Sequence, residues 1–390
     1  MRKGTLILIL GNLASFGPFV TDLYLPCLPR IAEYFSTSAS LVQMSLTASM
    51  IGLAVGQLLI GPISDKYGRC RPLLWNLALF VIATIGCVAS PGVHGFIFCR
   101  LLQGLTGASG LVISKAIIAD LYSGRELGRF FAALTSIQFI SPIIAPVLGG
   151  VIFGLSSWQG VFIVLGLWGT LLFYASTRLK ETLPAESRLQ LPIRKSLEAF
   201  LPMLRNHHFM VLNLFQAFVG IVFFSYISAS PFLFQQHFRL SPIDYSMFFA
   251  FNAIGLIAGS ILVIRLKRQQ SALIPGSLGL LLTCGLTSLT LLAGGPFKVF
   301  EITLFLMIFS CGILIPVGNA LALASVQENK GSAAALLGAI AFLVGGIVAP
   351  LVGIGNLLHS TLILFMAGAI ISLVLCLYAC KLTRTKQEME

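Results

Sequence analysis

Twelve stretches of roughly 20 predominantly apolar residues run through this chain, and a stretch of that length and composition is what a helix needs to cross a bilayer. They are read near 5–27, 40–61, 73–91, 96–117, 128–153, 159–177, 209–232, 244–264, 273–292, 299–323, 332–354 and 360–380. Each is continuously apolar rather than alternating, which excludes an outer-membrane barrel. Only 10% of the 390 residues are charged while 57% are hydrophobic. A soluble domain carries about 25% charged residues. The expected fold is therefore an all-α integral membrane protein with twelve transmembrane helices in two six-helix halves.

One long polar stretch interrupts the pattern. The expected organisation is an N-terminal half over 1–177, a linker over 178–207, a C-terminal half over 208–380 and a tail over 381–390. The halves look like a repeat. Gly128–Gly150 contains FAALTSI and then APVLGG, and Gly331–Gly353 contains AAALLGAI and then APLVG. Two parallel six-helix repeats are a transporter arrangement, with the substrate site between the halves.

The net charge of +12 follows from basic loops rather than nucleic-acid binding. With the N-terminus inside, every Lys and Arg falls on the inner side except Arg30, Arg239, Lys298 and the intramembrane Arg100. Both termini are thus expected in the cytoplasm. Arg2 and Lys3 precede a long apolar run that reads as a retained first helix rather than a signal peptide, since it contains Asp22 and continues into Pro26 and Pro29. The eight cysteines are scattered without a C-x-x-C pair, and the five histidines lack a ligand spacing, so neither a disulfide framework nor a metal site is expected. No H-E-x-x-H, G-x-S-x-G or Walker A pattern is present, so the chain reads as neither an enzyme nor an ATP-driven pump.

Asp22 is the only acid placed deep inside a span. An ionisable group there costs at least about 2.5–3.5 kcal/mol and is a functional candidate for that reason. It shares a helix face with Ser15 and Pro18, with Asn12 beyond. A proton site is one reading, and an interfacial cap before Pro26 is the other. Arg100 lies at a similar depth, roughly 9 Å from the midplane by helical rise. It is either the ion-pair or water-bridged partner of Asp22 or a side chain snorkelling to the outer interface. Glu301, near the start of the tenth span, is expected at the outer interface.

GPISDKYGRCRP (61–72) places Gly61, Asp65, Gly68 and Arg69 after the second span, with Asp120 as a second acid nearby. A plain basic loop is one reading. A gate latch is the other, with Arg69 holding Asp65 against a helix N-terminus of the opposite half. Gly61 is expected to permit close helix contact. In RLLQGLTGASG (100–110), Gly104, Gly107 and Gly110 form a small-residue stripe for tight packing. In SPIIAPVLGG (141–150), Pro146, Gly149 and Gly150 suggest a bend, a hinge or a seal. Polar and aromatic residues inside spans give a candidate substrate cavity: Asn12, Ser15, Tyr24, Gln103 and Gln138 in the first half, Phe223, Tyr226, Asn252 and Asn319 in the second.

These motifs resemble those of the major facilitator superfamily. The 61–72 loop is similar to the signature between its second and third helices, 100–110 to its fourth-helix motif, and APVLGG to the fifth-helix motif of its antiporter branch. TDLYLPCLPRI (21–31), LKETLP (179–184) and GSAAALLG (331–338) resemble the Bcr/CflA drug-resistance family. The resemblance implies a monomeric, proton-coupled multidrug exporter of the bacterial inner membrane, working by alternating access. It needs no cofactor beyond the proton gradient, and its partners are a small molecule, protons and the bilayer. It implies proton and drug exchange at Asp22, coupling through Arg100 and gating by Asp65 and Arg69.

The chain departs from the pattern at Ala14, where some relatives carry a second acid, and at Cys70, Ala119 and Ala145. With one intramembrane acid, one proton per cycle is expected. Lys115 could stand in for the basic residue missing at Ala119. Other readings of the same scaffold are an exporter of a specific metabolite, siderophore or amino acid, and a membrane sensor that does not transport.

Overall fold

The computed structural model describes residues 3–190, 198, 200–266, 269–326 and 330–389. Arg2, Arg194, Lys195, Lys267 and Arg268, which enter the charge count, lie outside the described residues. Among those described, twelve helices are long and apolar enough to cross a membrane.

The first span is not one helix. It runs as α1 (Lys3–Ala14), α2 (Phe16–Asp22), a 3-10 turn over Leu25–Cys27 and α3 (Leu28–Tyr34). Prolines explain the breaks. Pro18 cannot donate within the helix ladder, and Pro26 and Pro29 sit at the first turns of the following pieces, where a missing N–H costs nothing. The remaining spans of the first half are α4 (Ala39–Tyr67), α5 (Cys70–Ala89), α6 (Val93–Leu121), α7 (Gly124–Leu155) and α8 (Trp158–Ser176).

After the linker, which includes α9 (Leu201–Arg205), come α10 (His207–Phe232), α11 (Pro242–Ile264), α12 (Leu273–Leu292), α13 (Phe297–Ala324), α14 (Lys330–Val352) and α15 (Leu357–Met389). A π turn over Leu233–His237 extends α10. The helix of α15 continues through Met389, so the expected tail is largely helical.

The helices present apolar side chains outward. On α5, Trp75, Leu79, Ile82 and Ile85 lie along one face and are each more than half exposed. On α8, Ile163, Leu167, Leu171 and Tyr174 do the same. Contiguous apolar faces of this kind would not persist in water and are suited to lipid.

Two compact units result, one of residues 1–198 with 240–247 and the other of 199–239 with 248–390. Each contains a close helix crossing built on a pair of facing glycines. In the first unit α4 and α6 cross so tightly that a Cβ at Gly52 would strike the Leu101 carbonyl and one at Gly104 the Ser49 carbonyl. In the second unit α11 and α13 repeat this, with Gly259 against the Phe309 carbonyl and Gly312 against that of Leu256. Only glycine allows backbones this close.

Candidate functional site

The break in the first span creates the centre of the first unit. The chain leaves the α2 helix at Leu23, so the Val20 carbonyl lacks the amide that a continuing helix would supply. Arg100 of α6 takes it: its Nη2 donates to Val20 O at 2.7 Å and to Ser49 Oγ at 3.0 Å. Its Nη1 donates to Gln103 Oε1. Gln103 Nε2 in turn donates to Thr84 Oγ1 of α5 at 2.7 Å. The guanidinium lies over the Tyr24 ring at 4.1 Å and near that of Phe162 at 5.6 Å. Tyr24 is tied to Ser45 of α4 through its hydroxyl at 3.1 Å.

Arg100 is fully buried, which rules out snorkelling. It is also not in an ion pair with Asp22. Among the described residues no carboxylate stands within salt-bridge distance of it. Its charge is instead spread over carbonyl, hydroxyl, amide and aromatic faces, the partners a planar guanidinium accepts. Nε has no partner. Asp22 is buried two residues beyond Val20 and accepts from Thr21 Oγ1 at 2.7 Å. Arg100 therefore grips the backbone of the segment that carries Asp22. The two residues stand on different helices, α2 and α6, and are linked through the Val20 carbonyl rather than by an ion pair.

The glycine and proline motifs back this segment. A Cβ at Gly149 of α7 would collide with the Leu23 carbonyl, and one at Gly110 would stand 2.5 Å from the Leu13 carbonyl. A Cβ at Gly107 would make only ordinary contacts with Phe16, Val20 and Phe80. Gly150 faces Ser246, within the short 240–247 segment of the same unit. Pro146 lies inside α7, which stays helical across it. Gly61 differs from expectation. A Cβ there would meet only Val112 Cγ1 at 4.0 Å, so no close contact requires glycine.

A second polar cluster forms around Arg69, at the turn between α4 and α5. Gly68 adopts φ +89°, a left-handed conformation that suits glycine. The Arg69 side chain is 8% exposed. Its Nε and Nη2 donate to the two Asp120 oxygens at 2.8 and 3.2 Å, a forked pair. Nη1 donates to Ser64 Oγ at 2.8 Å and to Asp65 Oδ1. Burial pulls the Arg69 pKa down, but Asp120 and Asp65 more than offset it and the net direction is upward.

The linker completes this cluster, which the sequence reading did not anticipate. Glu181 accepts from the Arg69 and Cys70 amides at 2.8 and 3.2 Å, capping the start of α5. Thr182 Oγ1 donates to Asp120 at 2.8 Å, and the Leu189 amide to the Asp65 carbonyl at 2.9 Å. Burial raises the Glu181 pKa, but the four backbone amides of Arg69, Leu183, Cys70 and Thr182 outweigh it and hold the carboxyl below its usual value. Glu181 is thus an anion at a helix start within the first unit, a contact distinct from the one expected of Asp65 with the opposite half. Lys115 is half-buried and has no ion pair among the described residues, so nothing in the structure makes it a replacement for a basic residue at Ala119.

The expected cavity residues scatter. Tyr24 and Gln103 belong to the Arg100 network. Ser15 is buried and bonded to Gly11 O at 2.9 Å, whereas Asn12 is exposed and bonded to Leu8 O at 2.8 Å, so the two do not form one open polar face. Gln138 donates to the Ala14 carbonyl at 3.1 Å, at the break between α1 and α2. Phe223 is half-buried against Phe224, and Tyr226 is buried and stacked on Phe249 at 5.3 Å. Asn319 is exposed. Asn252 is fully buried and donates to Glu301 Oε1 at 3.0 Å. Glu301 itself is 5% exposed, an acid buried within the protein close to the start of its helix. Among the described residues no His, Cys, Asp and Glu group could hold a metal ion.

A sequence model of the Major Facilitator Superfamily matches residues 8–294. The uncharacterized MFS-type transporter YdgK of Bacillus subtilis is 38% identical over 358 residues, covering 90% of this chain and 89% of that protein. The bicyclomycin resistance protein homolog of Haemophilus influenzae is 26% identical, covering 97% and 96%. The multidrug resistance protein MdtL of Shigella dysenteriae is 28% identical, covering 93% and 92%. Among solved structures, the D-xylose-proton symporter superimposes with a TM-score of 0.76 at 15% identity, covering 96% of both chains. That likeness speaks for the fold alone.

Proposed function

The chain belongs to the Major Facilitator Superfamily, with relatives of the drug-resistance type, and from that premise we propose that it is a proton-coupled exporter of small, mostly lipophilic compounds. It sits in the bacterial cytoplasmic membrane with both termini in the cytoplasm, as the distribution of Lys and Arg favours. The observation that carries this reading is a buried acid, Asp22, on a broken first span whose backbone is held by a buried arginine. Substrate class follows the names of the bicyclomycin-resistance and multidrug-resistance relatives.

The mechanism uses Asp22 as the proton carrier. A carboxyl buried beside a hydroxyl and no cation is cheap to keep neutral and costly to ionise. When Asp22 loses its proton, its charge attracts Arg100 on the adjacent helix. Arg100 then exchanges its grip on Val20 O for one on Asp22, and the broken span is free to reposition because its ladder is already interrupted at Leu23. The Arg69–Asp120–Asp65 cluster, with Glu181 and Thr182, stabilises one end of the unit in the state shown here. Its ion pairs are re-formed once per cycle.

In cells producing the wild type, a lipophilic fluorescent cation such as ethidium is expected to accumulate less than in cells without it, and a protonophore should abolish the difference. Asp22→Asn should behave like the protonophore at normal protein level. Raised, proton-driven dye uptake by the wild type would overturn export. Full extrusion by Asp22→Asn would overturn the role of Asp22.

A further inference from the structure

The second unit holds an acid that the proton mechanism above does not use. Glu301 of α13 and Asn252 of α11 face each other at 3.0 Å, Asn252 Nδ2 donating to Glu301 Oε1. The other two heteroatoms of these side chains, Glu301 Oε2 and Asn252 Oδ1, are buried and have no hydrogen-bond partner. Both are acceptors when Glu301 is ionised, so neither can satisfy the other. A single proton resolves both deficits. Placed on Oε2, it gives Glu301 a hydroxyl to donate and gives Asn252 Oδ1 the donor it lacks. The result is the paired, two-bond geometry of a carboxylic acid with a carboxamide.

The surroundings offer no charged partner in place of that proton. Among the described residues no cation pairs with Glu301. Of the elements around it, α12 carries no Asp, Glu, Lys, Arg or His. Lys298 on α13, Asp244 on α11 and His237 after α10 are exposed, and His207 and His208 stand in the first turn of α10. One turn before the pair on each helix, Phe248 and Phe297 pack ring to ring at 4.7 Å. Phe300, Phe234 and Phe238 extend that aromatic cover. An uncompensated carboxylate under such a cover, with one neutral donor, is disfavoured relative to its neutral form.

We propose that Glu301 and Asn252 form a second proton-binding site, in the second half of the chain, holding one proton between Glu301 Oε2 and Asn252 Oδ1. It stands independently of Asp22. Where the proton-coupled reading also holds, it raises the proton capacity of the protein from one buried carboxyl to two, against the one-acid expectation from sequence.

Infrared difference spectroscopy of the full-length protein in lipid reads this directly in the carbonyl stretch of protonated carboxyls. At neutral pH the wild type should show a band that Glu301→Gln removes and Asn252→Leu displaces, because the hydroxyl loses its acceptor. Asp22→Asn should retain that band. Glu301→Gln keeps an amide pair in place, and its native helix content and elution would show that it folds. A Glu301→Gln spectrum superimposable on the wild type would overturn the site. A band that Glu301→Gln removes but Asn252→Leu leaves unmoved would overturn the shared proton. Failure of the Asp22 reading appears separately, in transport by Asp22→Asn, and leaves this spectrum unchanged.

Discussion

The α4–α6 crossing of the first unit and the α11–α13 crossing of the second are the same backbone object with different chemistry. Gly52 and Gly104 correspond to Gly259 and Gly312, each glycine meeting a carbonyl of the facing helix. At the positions of Arg100 and Gln103, however, the second unit has Ile308 and Cys311, both buried. Its polar pair, Asn252 with Glu301, lies nearer the start of both helices. The repeat therefore transmits packing, which a glycine enforces, and leaves chemistry to single residues laid on top. The first unit spends its crossing on holding the broken span. The second carries only a hydroxyl at its crossing, Ser260 Oγ donating to the Gly312 carbonyl at 3.0 Å, and α10 has no break like that at Leu23.

The largest expected effect tests the shared part. Gly104→Val and Gly312→Val both drive side-chain atoms into a backbone carbonyl that cannot yield without separating the helices. Both should lose several kcal/mol, enough to remove most folded protein, as read by the yield of monodisperse protein and its thermal unfolding. Tolerance at one glycine and not the other would break the equivalence of the crossings.

Next comes the unshared part. Arg100→Ile installs the second unit's residue in the first. It strips the Val20 carbonyl, Ser49 and Gln103 of their donor, and each buried orphan costs about 1–3 kcal/mol. Dye extrusion should fall at least about tenfold, the equivalent of 1.4 kcal/mol. Arg100→Lys keeps the charge but cannot fork to several acceptors and should recover only part of the activity. Full extrusion by Arg100→Ile would show that the crossing, not the guanidinium, is what matters.

The smallest effect concerns the cap on α5. Glu181→Gln keeps one acceptor and loses the charge facing two amides, a loss on the order of 1 kcal/mol. Because the folded Glu181 pKa lies below its unfolded value of about 4.3, its contribution is complete above that pH. It is lost as pH falls through the lowered folded value. Hydrogen exchange at the Arg69 and Cys70 amides should therefore show less protection in Glu181→Gln than in wild type at neutral pH. The difference should vanish in acid.

What the sequence disclosed and what it withheld divide along physical lines. The twelve spans were legible because apolarity is a local property, and the kinks of the first span because proline acts where it stands. Arg69 with Asp65 was legible as an i, i+4 pair. Asp120 was expected as a second acid nearby, but Glu181 was not, since it closes a contact across more than a hundred residues. Its one local signal was an acid just after a span on the same side as an open helix start. Helical-rise arithmetic put Asp22 and Arg100 at one level but could not tell that Arg100 binds the Val20 carbonyl rather than forming an ion pair, because depth does not fix which way a side chain points around its helix. The burial of Glu301 was not legible for the converse reason. Its distance from the helix start suggested an interface, and the phenylalanines around it come from its own helix, from α11 and from the segment after α10.

The central claim is that Asp22 carries the coupled proton, and purified protein in liposomes with a pH-sensitive dye inside tests it most directly. Substrate such as ethidium or chloramphenicol is added against an imposed proton gradient, for wild type and Asp22→Asn side by side. Proton movement triggered by substrate in the wild type and absent in Asp22→Asn is the predicted result, with a sign showing protons and substrate crossing in opposite directions. Equal proton movement in both proteins would contradict it.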